Sequence, residues 1–132
     1  MGIVYHTNYI RWFEIGRNEL FREMDIPYTE MESAGLNLPL TQVYCHYLLP
    51  AYYDNLLLVE TDIDYLRRAS VKFSYRVWDE NRQHLLTEGF TVHACTDKNG
   101  KIFRIPLKTA DKIYRFIKKS KKQRETDGGK DR

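Results

Sequence analysis

From Leu57 to Tyr65, and again from Val71 to Val77, apolar and polar side chains alternate one by one. Leu57, Val59, Thr61, Ile63 and Tyr65 oppose Leu58, Glu60, Asp62 and Asp64, while Val71, Phe73, Tyr75 and Val77 oppose Lys72, Ser74 and Arg76. A period of two sends the two sets to opposite faces of a strand, so each segment reads as a strand with one buried and one wetted face. A sheet of this kind needs an apolar layer over its buried face. The chain supplies one upstream. Between about Asn8 and Met24, Ile10, Phe13, Leu20, Phe21 and Met24 recur at helical intervals, and Tyr9, Trp12 and Ile15 widen the apolar face, which predicts a largely buried helix. Thr7 or Asn8 offers a side-chain oxygen to cap its start, and Pro27 follows its end.

Two further strands are expected near Leu40 to Leu49 and Leu85 to Thr96, with Pro50 closing the first and Asn99-Gly100 turning the chain after the second. A helical turn over Tyr28 to Ala34 stops at Gly35, Ile102 to Ile105 returns as a short strand, and a last helix starts at Thr109 with Ile113, Phe116 and Ile117 on one side. One buried helix followed by consecutive antiparallel strands is an α+β order. The chain of 132 residues holds one two-layer core, assigned to residues 1–117.

Charge separates the rest. Residues 118–132 hold seven Lys or Arg against three Asp or Glu, so their net +4 exceeds the +3 of the whole chain and leaves residues 1–117 at −1. The pI near 8.8 therefore belongs to this end. It reads as a basic, solvated, disordered tail, and the folded part has no excess positive charge with which to hold nucleic acid. No apolar run approaches the ~20 residues needed to span a bilayer, and no signal-peptide pattern opens the chain, so the expectation is a cytoplasmic protein without a membrane partner. Cys45 and Cys95 are read as reduced, buried thiols. Cys45-His46 does not suit zinc, because neighbours on a strand point to opposite faces. With no nucleophile elbow, phosphate-binding glycine loop or dinucleotide fingerprint, neither a metal nor a redox cofactor is expected.

Residues Gly2 to Tyr9 read Gly-Ile-Val-Tyr-His-Thr-Asn-Tyr. This resembles the segment Asp-x-x-Gly-(Ile/Val)-Val-(Tyr/Phe/Trp)-(His/Tyr)-x-(Asn/Ser)-Tyr of hotdog-fold acyl-CoA thioesterases of the 4-hydroxybenzoyl-CoA thioesterase and YbgC-like family. Arg67-Arg68-Ala69-Ser70 is similar to that family's Arg-Arg-x-Ser segment. Tyr47-Leu48-Leu49-Pro50-Ala51-Tyr52-Tyr53-Asp54 resembles its Tyr-x-x-Pro-Ala-x-Tyr-x-Asp connection, with the aspartate one position early. The resemblance implies an antiparallel sheet wrapped around a long central helix, and a further strand that would lie before Met1. It also implies a homodimer or homotetramer with sites between subunits.

The implied chemistry is hydrolysis of an acyl- or aryl-CoA, or of an acyl-carrier thioester, with coenzyme A entering as part of the substrate. Such a site needs donors aimed at the oxyanion that forms on the thioester carbonyl, and a helix N-terminus supplies free amides and a positive dipole end. Tyr5 and His6 stand at that point, and the resemblance gives the His6 amide the polarising role. The His6 imidazole serves as general base or lines the pocket, and the Tyr5 hydroxyl orients water or carbonyl or forms an aromatic wall. Glu14, roughly ~12 Å along the helix from His6, acts across a dimer interface or pairs with Arg17 or Asn18. Gly2, Asn8 and Tyr9 border the substrate, while Arg67, Arg68, Ser70 and Arg104 are expected at the CoA phosphates, where guanidinium forks fit best. The family's catalytic aspartate falls two residues before Met1. Met1 is accordingly read as an internal methionine of an Asp-x-Met-Gly run. The alternative is a non-catalytic acyl-thioester-binding or assembly protein.

Overall fold

The computed structural model describes residues 6–50 and 56–127. Its elements in chain order are α1 (His6–Glu23), α2 (Tyr28–Ser33), β1 (Leu40–Tyr47), β2 (Leu57–Arg67), β3 (Ser70–Asp79), β4 (Leu85–Ala94) and α3 (Leu107–Asp127). The four strands form one antiparallel sheet in the order β1-β4-β3-β2. Helix α1 lies over the inner face, in the α+β hotdog arrangement that the resemblance implied.

The alternation in β3 places Val71, Phe73, Tyr75 and Val77 inside, all essentially without exposure. They meet the stripe Tyr9, Phe13, Gly16 and Leu20 of α1, continued by Met24 just beyond it, every member of which is buried. The Phe13 ring stacks on Tyr75 with centroids 4.1 Å apart. The same ring lies over Gly89, where an added Cβ would stand 3.0 Å from two ring carbons and overlap the Tyr44 carbonyl oxygen. Glycine is required here by the close approach of two chain segments. Gly89→Ala should therefore lower the denaturant midpoint by an amount equivalent to about 3 kcal/mol, and an unchanged midpoint would show that the ring is not seated there. Gly16 likewise lets α1 settle onto Thr61 and Val59 of β2.

Four readings of the sequence are corrected. Helix α1 begins at His6, so Thr7 and Asn8 fall within its first turn and not before it. Ile10 and Ile15 are 37% and 54% exposed, because the inward stripe is set by Tyr9 and Phe13 and both isoleucines fall on its flanks. The alternation in β2 breaks after Ile63, where a bulge lies between Ile63 and Tyr65. An extra residue reverses the facing of the side chains after it, so Leu66 and not Tyr65 continues the buried set. Ile102 makes a single bridge to Thr96 and starts no strand.

Helix α3 begins at Leu107, two residues before the expected Thr109, and continues past Ile117 to Asp127. Ile113 is buried, and the Ser120 hydroxyl donates to the Asp62 carboxylate at 3.2 and 3.3 Å. At its other end Lys112 donates to Glu30 at 2.8 Å and also to the Asp25 carbonyl. The Lys112 hydrogen bond, ahead of the other contacts, holds the Glu30 carboxyl below its ordinary value. This clamp ties α3 to the end of α1, where Asp25 turns the chain with φ 58°.

Candidate active site at the start of helix α1

With α1 starting at His6, the backbone amides of His6, Thr7 and Asn8 fall in the turn that has no carbonyl partner within the helix. Tyr5 and Gly2 lie outside the described residues, as do Ala51 to Asn55 of the Pro-Ala connection. At this end of the sheet Tyr47 of β1, Thr87 of β4 and Val77 of β3 stand opposite one another, and Val59 of β2 stands opposite Val77 and lies against Gly16 of α1. Tyr9 meets this row edge-on, its ring 5.0 Å from that of Tyr47 and 4.9 Å from that of Trp12. Asn8 is half-buried beside it. Helix α1 thus starts beside an aromatic cluster, where amides without a carbonyl partner in the helix can polarise a thioester carbonyl.

The Tyr47 hydroxyl is pushed up to about 12, first by desolvation and then by the neighbouring Cys45 thiol and Tyr9 hydroxyl. It stays protonated and can act as a hydrogen-bond donor. Burial also raises the Cys45 thiol, and carries Cys95 to about 11. Both cysteines are free and neither has the depressed acidity of a nucleophile. Among the described residues, no three His, Cys, Asp or Glu side chains converge as metal ligands would.

Glu14 is exposed on α1, and the expected pairing with Arg17 does not form. Arg17 instead turns inward and donates to the Tyr75 hydroxyl at 2.9 Å. Tyr75 is 2.6 Å from the Thr91 hydroxyl, which is 3.0 Å from His93 Nε2, and His93 Nδ1 is 3.0 Å from the Leu38 carbonyl. A carbonyl only accepts, so His93 carries its proton on Nδ1 and accepts at Nε2. Donation then runs one way, from Arg17 through Tyr75, Thr91 and His93 to Leu38. Burial, more than the nearby Arg17 charge, holds the His93 imidazole below its ordinary value. This chain escaped the reading of the sequence, although a histidine and a threonine on the apolar side of a strand were its visible signal.

Arg67, Arg68, Ser70 and Arg104 form a second cluster. Arg67 pairs with Ser70 across the β2–β3 turn, and its guanidinium lies 4.2 Å from the centre of the Tyr65 ring. The turn is pinned from outside, since the Cys95 amide donates to Ala69 and the Ile105 amide to the Arg68 carbonyl at 3.4 Å. The latter bond brings Arg104, next in the chain to Ile105, to the same place. All three arginines are exposed. They stand at the opposite end of the sheet from the helix start: Ser70 is level with Ala94, Tyr47 with Thr87, which is roughly ~23 Å along β4 at 3.3 Å per residue. A single chain thus separates the two halves of the expected site.

Comparison with known proteins agrees with this geometry. The family model described as the thioesterase-like superfamily matches residues 1–116. The acyl-CoA thioesterase YbgC of Haemophilus influenzae is 32% identical over 98 residues, covering 73% of this chain and 70% of its own. A hypothetical protein of Aquifex aeolicus superposes with a TM-score of 0.77 at 36% identity, covering 85% of this chain and 86% of its own. The DHNA-CoA thioesterase of Staphylococcus aureus superposes with a TM-score of 0.78 at 25% identity, covering 97% and 85%. The chain belongs to the thioesterase-like superfamily and is a thioester hydrolase of the hotdog fold.

Proposed function

We propose that the protein hydrolyses acyl-CoA thioesters to the free acid and CoA, with the acyl group beside the aromatic cluster of Tyr9, Trp12 and Tyr47 and the thioester carbonyl on the first-turn amides. The observation that carries this reading is the start of helix α1 beside the aromatic contact of Tyr9 with Tyr47. Developing negative charge on the carbonyl oxygen is stabilised there by donors already oriented, without reorganisation during the reaction. The His6 amide is the donor the reading places first, and Gly2, Tyr5, Asn8 and Tyr9 are the residues it places around the substrate. The family's pattern assigns the activation of water to an aspartate three residues before its glycine. Glu14 remains a second carboxylate for the same task, acting on the site of a neighbouring copy. Non-catalytic binding is not favoured, because the named relatives are thioester hydrolases.

The site is completed in a homodimer. β1 has a hydrogen-bonded neighbour on one side, β4, and Leu40, Val43, Tyr44 and Tyr47 along it are each nearly half exposed. An open apolar edge of this kind invites pairing with another strand. When two copies pair through β1 about a two-fold axis, the strands run antiparallel, so each subunit's arginine turn comes to the end of the sheet where its partner's α1 begins. Arg67, Arg68, Ser70 and Arg104 then face the CoA phosphates. The free thiols fit a reducing, cytoplasmic setting, and no helix among the described residues is long and apolar enough to cross a membrane.

The test is free-thiol release from a panel of aryl- and alkyl-CoA esters, run on this chain and on a version extended at its N-terminus by the family's Asp-x segment. Turnover by the extended protein alone would assign the base to that aspartate. Turnover by both would assign it to Glu14 or His6. Absence of turnover from both, with CoA esters still bound, would overturn the hydrolase reading in favour of a binding protein.

A further inference from the structure

The donation that runs from Arg17 to Leu38 keeps its direction only while His93 lacks a second proton. Arg17 donates to the Tyr75 hydroxyl at 2.9 Å, Tyr75 stands 2.6 Å from Thr91, and Thr91 stands 3.0 Å from His93 Nε2. That nitrogen is the acceptor of the ring, because Nδ1 serves the Leu38 carbonyl at 3.0 Å. A proton on Nε2 turns the acceptor into a donor. The Thr91 hydroxyl must then point back at Tyr75, which already receives the Arg17 N–H, and the Tyr75 proton is left without an acceptor. Tyr75, Thr91 and His93 are all buried, so bulk water does not reach the conflict.

The relay ends on the helix that carries the candidate site. Tyr75 receives the Arg17 N–H at its hydroxyl and the stacked Phe13 on its ring, so α1 is seated on one residue at two places a turn apart. We infer that neutral His93 is a positioning residue for thioester hydrolysis: through Thr91, Tyr75 and Arg17 it holds α1 in the seat that aims the first-turn amides, and its protonation unseats the helix. This rests on those amides being the oxyanion donors. Displacing them by about 1 Å can cost about 10²-fold in rate, whereas the arginine turn at the other end of the sheet keeps its hold on CoA. The charged and titratable groups around the ring are the Arg17 guanidinium from α1, the Tyr75 hydroxyl from β3 and the protonated Cys95 thiol two residues along. The segment leading into β1 presents Leu38 and Leu40, neither of them titratable. Burial holds the imidazole below its ordinary value, so the seat is favoured above that value and weakens as pH falls through the acid range beneath it.

The experiment follows kcat and KM for a CoA ester between about pH 5 and pH 8, with amide hydrogen exchange of α1 and β3 by mass spectrometry, in wild type, His93→Gln and His93→Asn. Glutamine places an amide oxygen where Nε2 accepts and does not titrate. Asparagine places an N–H where Nδ1 donates to Leu38 and leaves Thr91 without its acceptor. In wild type kcat should fall about tenfold per pH unit at the acid end with KM held, and α1 should exchange faster there than its intrinsic pH dependence allows while β3 stays protected. His93→Gln should rescue the neutral rate and lose both acid responses, and His93→Asn should be about 10²-fold slower at every pH. Tyr75→Phe keeps the ring under Phe13 and cuts the relay, so it too should lose both acid responses, and it decides the matter if a His93 variant does not fold. An unchanged acid response in His93→Gln or Tyr75→Phe, or a β3 that loosens together with α1, would overturn the positioning role and leave the hydrolase reading intact. If no ester is turned over, yet wild-type α1 alone loosens in acid and the His93→Gln helix does not, the hydrolase reading fails and the relay stands.

Discussion

Replacing His6 by proline is expected to lower kcat by about 10²–10³-fold, the usual cost of removing one oxyanion donor, while His6→Ala keeps most of the activity. Proline is tolerated at the first position of a helix because its fixed φ suits that turn and the missing N–H has no carbonyl to serve there. His6 is the first residue of α1, so the substitution deletes the proposed donor with little cost to the helix. Alanine deletes the imidazole and keeps the amide. The pair of variants therefore separates main chain from side chain. KM should change little in the proline variant, since the lost bond strengthens as charge develops on the carbonyl oxygen. Steady-state kinetics with a CoA ester, alongside denaturation midpoints to show that both variants fold, reads the outcome. An alanine variant as impaired as the proline variant would make the imidazole the base and sink the amide reading.

Mixing two impaired proteins should restore activity. Arg67→Ala/Arg68→Ala is expected to raise KM for CoA esters by about 10- to 10³-fold through lost charge-assisted bonds to phosphate, with kcat held. His6→Pro fails for a different reason, at the other end of the sheet. If each site joins the α1 start of one copy to the arginine turn of its partner, half the dimers in an equimolar, exchanged mixture are mixed, and each of these contains one intact site. Activity at low substrate should then reach about one quarter of wild type, far above either parent. Activity equal to the parents' mean after proven subunit exchange would place both halves of the site on one chain and refute the two-copy arrangement.

Much of this architecture could be read from residue order, because period and packing agreed. The β3 alternation survived unchanged since Val71, Phe73, Tyr75 and Val77 pair with β4 and β2 on both sides. It failed in β2 at Ile63, where a bulge obeys no rule of side-chain type. Helix α1 was legible in extent and less so in facing: Ile10 is as apolar as Phe13, and only the fit of an aromatic ring over Gly89 decides which turns inward. The arginine turn was legible as chemistry. Its distance from the helix start was not, since strand order and register exist only once β1 pairs with β4. The chain from Arg17 to Leu38 needed coordinates, because hydrogen-bond satisfaction is a property of three-dimensional neighbours.

The strand order also separates synthesis from assembly. β2, β3 and β4 are successive neighbours joined by short turns, so they can form a meander as they emerge, whereas β1 must wait for β4, two strands beyond β2 in synthesis. Helix α1 waits as well, since Phe13 finds Tyr75 and Gly89 only after most of the chain has been made. Its buried stripe is exposed in the meantime, a condition that slows folding and favours aggregation of partly made chains. The helix that carries the site is made before all four described strands, yet its partners in the core are among the last to arrive.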